Sequence, residues 1–236
     1  MRKLAALLAI ALLAAATATA ALAASEITAF TVKHSAKAEG ASTGISFKTT
    51  FGDPDAATGL PSGVKAFTIK LHKGTKIDPA GATQCKATAD ELTTKGAAAC
   101  PAASRIGKGT ATATPPTGGT GTTVGAIVFN EKVSGRNAFL FMFVNDAGAY
   151  VTAFDAFVKG NTLSASGLDG AIPGGLIVTK FNGTIDKHSK GKGKKKHNLI
   201  TTPASCPKSK KWTNSGTFTF TNGDKDTATS TSACKP

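Results

Sequence analysis

Nine lysines and no acidic residue lie between Lys187 and Lys211, and the segment SKGKGKKKHN at 189–198 packs Lys190, Lys192, Lys194, Lys195 and Lys196 into one short run. Ammonium groups at that density raise the local potential and attract polyanions, an attraction that falls steeply with salt. Lysine makes point-charge contacts where arginine would make bidentate ones, so the chemistry on offer is non-selective. Lys208, Lys210 and Lys211 extend the run toward Trp212. The chain holds 28 Lys and Arg against 14 Asp and Glu; with these nine lysines and the leader's Arg2 and Lys3 set aside, 17 remain against 14, so the basicity is local. The plain alternative is a solvated loop that keeps the protein soluble.

Trp212, in KSKKWTNSG, has two readings: packed against a disulfide, as aromatics beside cysteines commonly are, or exposed as a platform for a sugar ring or lipid headgroup. Other chemistry is sparsely provided. His188 and His197 flank the lysines at a spacing that suits no shared metal, their neighbours repel cations, and His34 and His72 stand alone. Asp53-Pro54-Asp55 with Gly59, and Asn222-Gly223-Asp224-Lys225-Asp226, lack the five or six spaced oxygens of a calcium loop and read as Asx turns. Ser166 lacks the first glycine of a nucleophile elbow, and Asp155 with Asp169 is one arbitrary carboxylate pair among many. Asn182-Gly183-Thr184 matches a glycosylation sequon but reads first as an Asn-Gly turn. No catalytic residue, metal or cofactor is expected.

The opening MRKLAALLAIALLAAATATAALAA has the charged start, apolar stretch and small-residue end of a secretory signal, assigned to 1–23, with the mature chain from 24. No later apolar run approaches the roughly 18 residues that span a bilayer. Four cysteines in an exported chain predict two disulfides, and C-x-x-C metal spacing is absent. Three pairings exist; Cys85–Cys100 and Cys206–Cys234 are favoured because each closes its own local loop. Outside the cell the polyanion would be an anionic surface polymer or an acidic polysaccharide. Nucleic acid is disfavoured by compartment and by the absence of aromatic residues among the lysines.

The elements that must carry these residues are strands. GISFKTTF sets Ile45, Phe47, Thr49 and Phe51 on one face, VKAFTIKLH does the same for Phe67, Ile69 and Leu71, and GTFTFTNGD alternates before turning at Asn222-Gly223. NAFLFMFVND is apolar on both faces, so it belongs at the centre of the fold, with AYVTAFDAFVKGN as its hairpin partner and Asp155 at an edge or bulge. One short helix is expected over about 87–95, where Thr88 and Glu91 form a capping box and Gly96 closes the last turn. The prediction is an all-β, Ig-like or jelly-roll-like antiparallel sandwich over 24–236, with a flexible loop at 112–123 and the lysine-rich loop at 187–198.

GLPSGVKAFTIKLHKGTKIDPAGATQC, then CPAASRIGKGTA, then TPASC with Trp212, GTFTFTNGD and Cys234, together resemble a group of secreted proteins of high-GC Gram-positive bacteria with no assigned activity. The resemblance implies an exported, disulfide-stapled β protein and carries over no catalytic residue; the lysine run lies outside the shared pattern. The expectation is a secreted, non-catalytic cell-envelope protein that holds anionic polymer through its lysines. A passive structural surface protein and a secreted hydrolase are the alternatives.

Overall fold

The computed structural model describes residues 25–168 and 175–236. The leader at 1–23 and Asp169 lie outside them. Eleven antiparallel strands form one sheet: β1 (Ile27–His34), β2 (Ile45–Phe51), β3 (Val64–Lys70), β5 (Arg105–Thr114), β6 (Thr122–Val133), β7 (Arg136–Val144), β8 (Tyr150–Lys159), β9 (Thr162–Ser166), β10 (Ile177–Ile185), β14 (Lys211–Phe220) and β15 (Lys225–Ala233). Their order across the sheet is β1-β2-β10-β5-β6-β7-β8-β9-β3-β14-β15. The short pair β4 (Lys76–Ile77) with β13 (Ile200–Thr201), and the pair β11 (Ser189–Lys190) with β12 (His197–Asn198), stand apart from it.

The sheet curls until its two edges meet, which makes a nearly closed, flattened barrel whose facing layers are parts of one sheet. Side chains rather than a backbone ladder make the seam. Val32 N–H donates to Ser230 Oγ at 2.8 Å and His34 N–H to Ser232 Oγ at 3.2 Å, while Asn214 Nδ2 donates to Val32 O at 3.1 Å. Serine hydroxyls and an asparagine amide thus occupy the edge groups that an open sheet would leave exposed.

The alternating patterns take the faces the sequence assigns. Ile45, Phe47, Thr49 and Phe51 of β2 are buried while Ser46 and Lys48 are exposed. In β7, Phe139, Phe141 and Phe143 point into the barrel; Leu140, Met142 and Val144 point out and are covered by the excursion between β4 and β5. That excursion holds α1 (Ala89–Lys95), capped by the Thr88–Glu91 box and ended at Gly96, and is closed by the Cys85–Cys100 disulfide. Leu92 and both cysteines pack on Phe129, Leu140 and Met142, so the double-sided strand is buried on both sides. The 112–123 stretch is the β5–β6 hairpin, with Ala113 paired to Thr122.

Long excursions gather at one end of the barrel. The segments 35–44, 71–104 and 186–210 all emerge there, and they close it. Asn130 of β6, fully buried, donates from Nδ2 to the carbonyls of Pro79 (2.9 Å), Ala82 (3.2 Å) and Thr83 (3.1 Å), which holds the 79–83 turn in the barrel end. A Cβ at Gly81 would lie 2.2 Å from Leu199 N, so only glycine lets that turn cross the 198–199 backbone. Leu199 and Ile200 complete the plug.

Asn182-Gly183 is not the turn its sequence suggests. It sits mid-strand in β10, with Gly183 paired to Phe47 and Gly109, because the Phe47 ring occupies the space of its missing side chain; a Cβ there would meet that ring at 2.6 Å. Gly183→Ala is therefore expected to lower stability by about 1–3 kcal/mol, read as a lower denaturant midpoint at unchanged slope. An unchanged midpoint would show that the ring can move aside at no cost.

Candidate functional site: a basic end and an apolar interior

The lysine run is built rather than loose. Ser189 pairs with Asn198 and Lys190 with His197, and between them the chain turns through Gly191 (φ +86°) and Gly193 (φ +55°). A Cβ at Gly191 would lie 2.2 Å from Lys195 O, so the tight return needs glycine. Lys195 N–H to Lys192 O (3.1 Å) and Lys196 N–H to Gly193 O (3.1 Å) fix the tip. The hairpin is tied to the plug by His197 Nδ1 donating to Asp78 Oδ2 at 2.8 Å, by Leu199 N–H to His188 O, and by Asp78 N–H to Leu199 O. His197 thereby serves as a tether to an acid. The lysine-rich loop expected at 187–198 thus contains a short hairpin, β11 with β12.

Lys190, Lys192, Lys194, Lys195 and Lys196 are all exposed, as are Lys208, Lys210 and Lys211 on the segment that follows the plug into β14. Among the described residues none of them forms an ion pair, whereas Lys95 pairs with Glu91 and His197 with Asp78. Both lysine groups sit at the closed end of the barrel because 186–210 emerges there and β14 begins there. Between the hairpin and the 78–86 segment runs a groove of about 660 Å³ with Lys86, Lys190, Lys195 and His197 on its walls. Its one carboxylate, Asp78, is occupied by His197. Among the described lining residues no acid is left free to oppose an anion.

Trp212 is fully buried. Its ring meets His34 edge-on at 5.3 Å and its Nε1–H donates to Ser205 O at 3.1 Å, so it is part of the core beside the Cys206–Cys234 disulfide and offers no ligand platform. His34 is held neutral: burial, then the nearby His72, lowers its pKa from 6.5 to about 4. Asp53 and Asn222 do the work of turns, with Asp53 Oδ1 accepting from Asp55 N–H and Asn222 Oδ1 from Asp224 N–H. Ser166 is exposed at the end of β9.

Sequence reasoning passed over two arrangements. The first is a carboxyl pair on the outer face. Glu131 of β6, opposite Ala138, and Asp155 of β8, opposite Leu140, lie diagonally across β7 on its outer face, beside the small, buried Ala138. Burial, then the hydrogen bond and charge of Asp155, raises the Glu131 pKa. Glu131 Oε1 has no partner among the described residues. Glu131 interrupts an otherwise apolar face, which is the signal that was available.

The second is the barrel interior. Eight phenylalanines line a cavity of about 100 Å³. Phe47 stacks on Phe181 (5.5 Å between centroids) and Phe141 on Phe154 (5.2 Å), with edge contacts from Phe47 to Phe141 and from Phe67 to Phe154 joining them into one wall. Alternation in each strand predicts inward rings. It does not predict that they leave a space.

The chain matches no known protein family, no characterised protein and no solved structure.

Proposed function

We propose that this protein is exported and non-catalytic, and that its basic closed end holds an anionic polymer of the cell surface. The observation that carries the reading is the ordered Lys190–Lys196 hairpin, whose ammonium groups stand unpaired beside a groove walled by three lysines and His197. An ordered hairpin supports binding better than a free loop does, since less conformational entropy is lost on contact. The two disulfides fit an oxidising compartment outside the cytoplasm. Among the described residues no helix is long and apolar enough to cross a membrane. Teichoic-type polymer and acidic polysaccharide are the classes that a row of lysines would hold by charge density alone.

The test is retention of the mature protein on a cell-wall fraction of the producing cells at low and high salt, beside a variant with Lys190, Lys192, Lys194, Lys195 and Lys196 replaced by Ser. Wild type is expected to be retained at low salt and released at high salt, with apparent affinity lowered about tenfold or more in the variant. Equal behaviour of the two proteins would remove the hairpin from binding.

A further inference from the structure

We infer that the barrel interior is a binding site for a small, neutral apolar molecule, about one aromatic ring in size. Three features of the lining lead there.

The interior is not packed shut. Alanines at 111 and 156 face the ring wall where larger side chains would fill the lumen, and a cavity of about 100 Å³ remains between them and the phenylalanines. Phe67, Phe154 and Phe181 point inward yet are only half-buried, unlike Phe139, which is fully buried at the closed end. Protein interiors ordinarily pack to crystal density with few voids, so an aromatic lumen left open at this position is a feature of the design.

Among the described residues the lumen has an entrance. β9 spans only Thr162–Ser166 and pairs with β8 only from Phe157 to Lys159. Beyond that point β8 keeps its β7 partner, but no pairing with β9 covers its residues 150–156. Thr152, Phe154 and Ala156 border this interruption from inside, at the end opposite the plug. Among the described residues the wall is therefore incomplete beside the cavity.

The lining defines the ligand's chemistry. Among the described residues it contains no charged side chain, and its only side-chain polar atoms are the hydroxyls of Thr49 and Thr152. A carboxylate, phosphate or ammonium placed there would lose its hydration with no counter-charge among the described residues. A neutral ring or branched hydrocarbon instead trades water for ring faces and edges, and apolar cavities near this size stay dry and accept benzene or xenon. The site is also separate from the basic hairpin, which lies at the plugged end.

Toluene is the probe, with benzoate as its charged counterpart of similar size, added to the mature disulfide-bonded protein. Toluene is expected to raise the melting temperature saturably, at one molecule per chain by titration of aromatic-ring NMR shifts, and benzoate to have no effect. Thr152→Phe should fill the entrance and weaken toluene binding by about tenfold or more. Phe154→Ala should enlarge the lumen so that naphthalene, poorly accepted by wild type, binds about tenfold better. The lysine-to-serine hairpin variant should bind toluene as wild type does, so this proposal and the surface-polymer proposal fail separately. The inference is overturned if wild type shows no saturable toluene effect or responds equally to benzoate. It is also overturned if Thr152→Phe with native near-ultraviolet dichroism binds toluene unchanged. Should that variant not fold, Phe154→Ala decides: naphthalene binding no better than wild type sinks the site.

Discussion

Glu131→Gln is expected to stabilise the protein at neutral and alkaline pH and to remove a decline in stability expected of wild type as pH rises. The sign follows from the raised pKa. A buried carboxyl that prefers its neutral form when folded costs nothing below its ordinary value of 4.5, where it is protonated folded or unfolded. As pH rises from there toward about 9, the unfolded chain ionises freely while the folded one resists, and stability is lost across that window. Glutamine keeps the shape, donates to Asp155 and has nothing to ionise.

His34 supplies the opposite limb. Its folded pKa is lowered from 6.5 to about 4, so its contribution is complete above 6.5 and is lost as pH falls through that interval. Melting temperatures of wild type and Glu131→Gln from pH 4 to pH 9 should therefore share the acidic decline and separate increasingly above about pH 5. Parallel curves above pH 5 would mean that Glu131 ionises in the folded state without cost.

Replacing Cys206 and Cys234 together by serine is expected to cost about 3–4 kcal/mol, from the chain entropy returned to a loop whose ends are 28 residues apart in sequence. The effect should be visible in Trp212. The bridge anchors the end of β15 near the start of β14, and Trp212 is buried there with Ser205 O as its hydrogen-bond acceptor. Wild-type emission should be blue and move to the red in the variant at a lower denaturant concentration. If stability falls while tryptophan emission and the seam are unaffected at all denaturant concentrations below the midpoint, the bridge acts only on the unfolded chain. An unchanged midpoint would contradict the assignment of any stabilising role to the bridge.

Much of this architecture is written in local pattern. Period-two alternation in 45–51 and 214–220 chooses which side chains face inward, because successive residues of a strand point to opposite faces. The capping box at Thr88 and Glu91, the hairpin turn at Asn222-Gly223 and the double-sided run at 138–144 are equally local, and each forms as its residues dictate. The pairing of Cys85 with Cys100 and of Cys206 with Cys234 follows from loops short enough to close by themselves. Lysine density is legible too, since charge excess in 187–211 needs no fold to be counted.

What the chain's order alone did not reveal depends on strands distant in sequence. Whether the strands make two sheets or one curled sheet is decided by the seam between β1 and β15, about 198 residues apart, through serine hydroxyls that look like ordinary surface positions. Gly183 reads as a turn until the ring of Phe47 is placed against it. The carboxyl pair exists because the register of β6, β7 and β8 sets Glu131 opposite Ala138 and Asp155 opposite Leu140, diagonal neighbours on one face. Tertiary packing likewise sends Trp212 inward, pins the lysine hairpin to Asp78 and leaves the phenylalanine wall with a hollow before it. Alternation specifies the direction of a side chain; only closure of the barrel sets the distance to what it faces, and both proposed sites are matters of that distance.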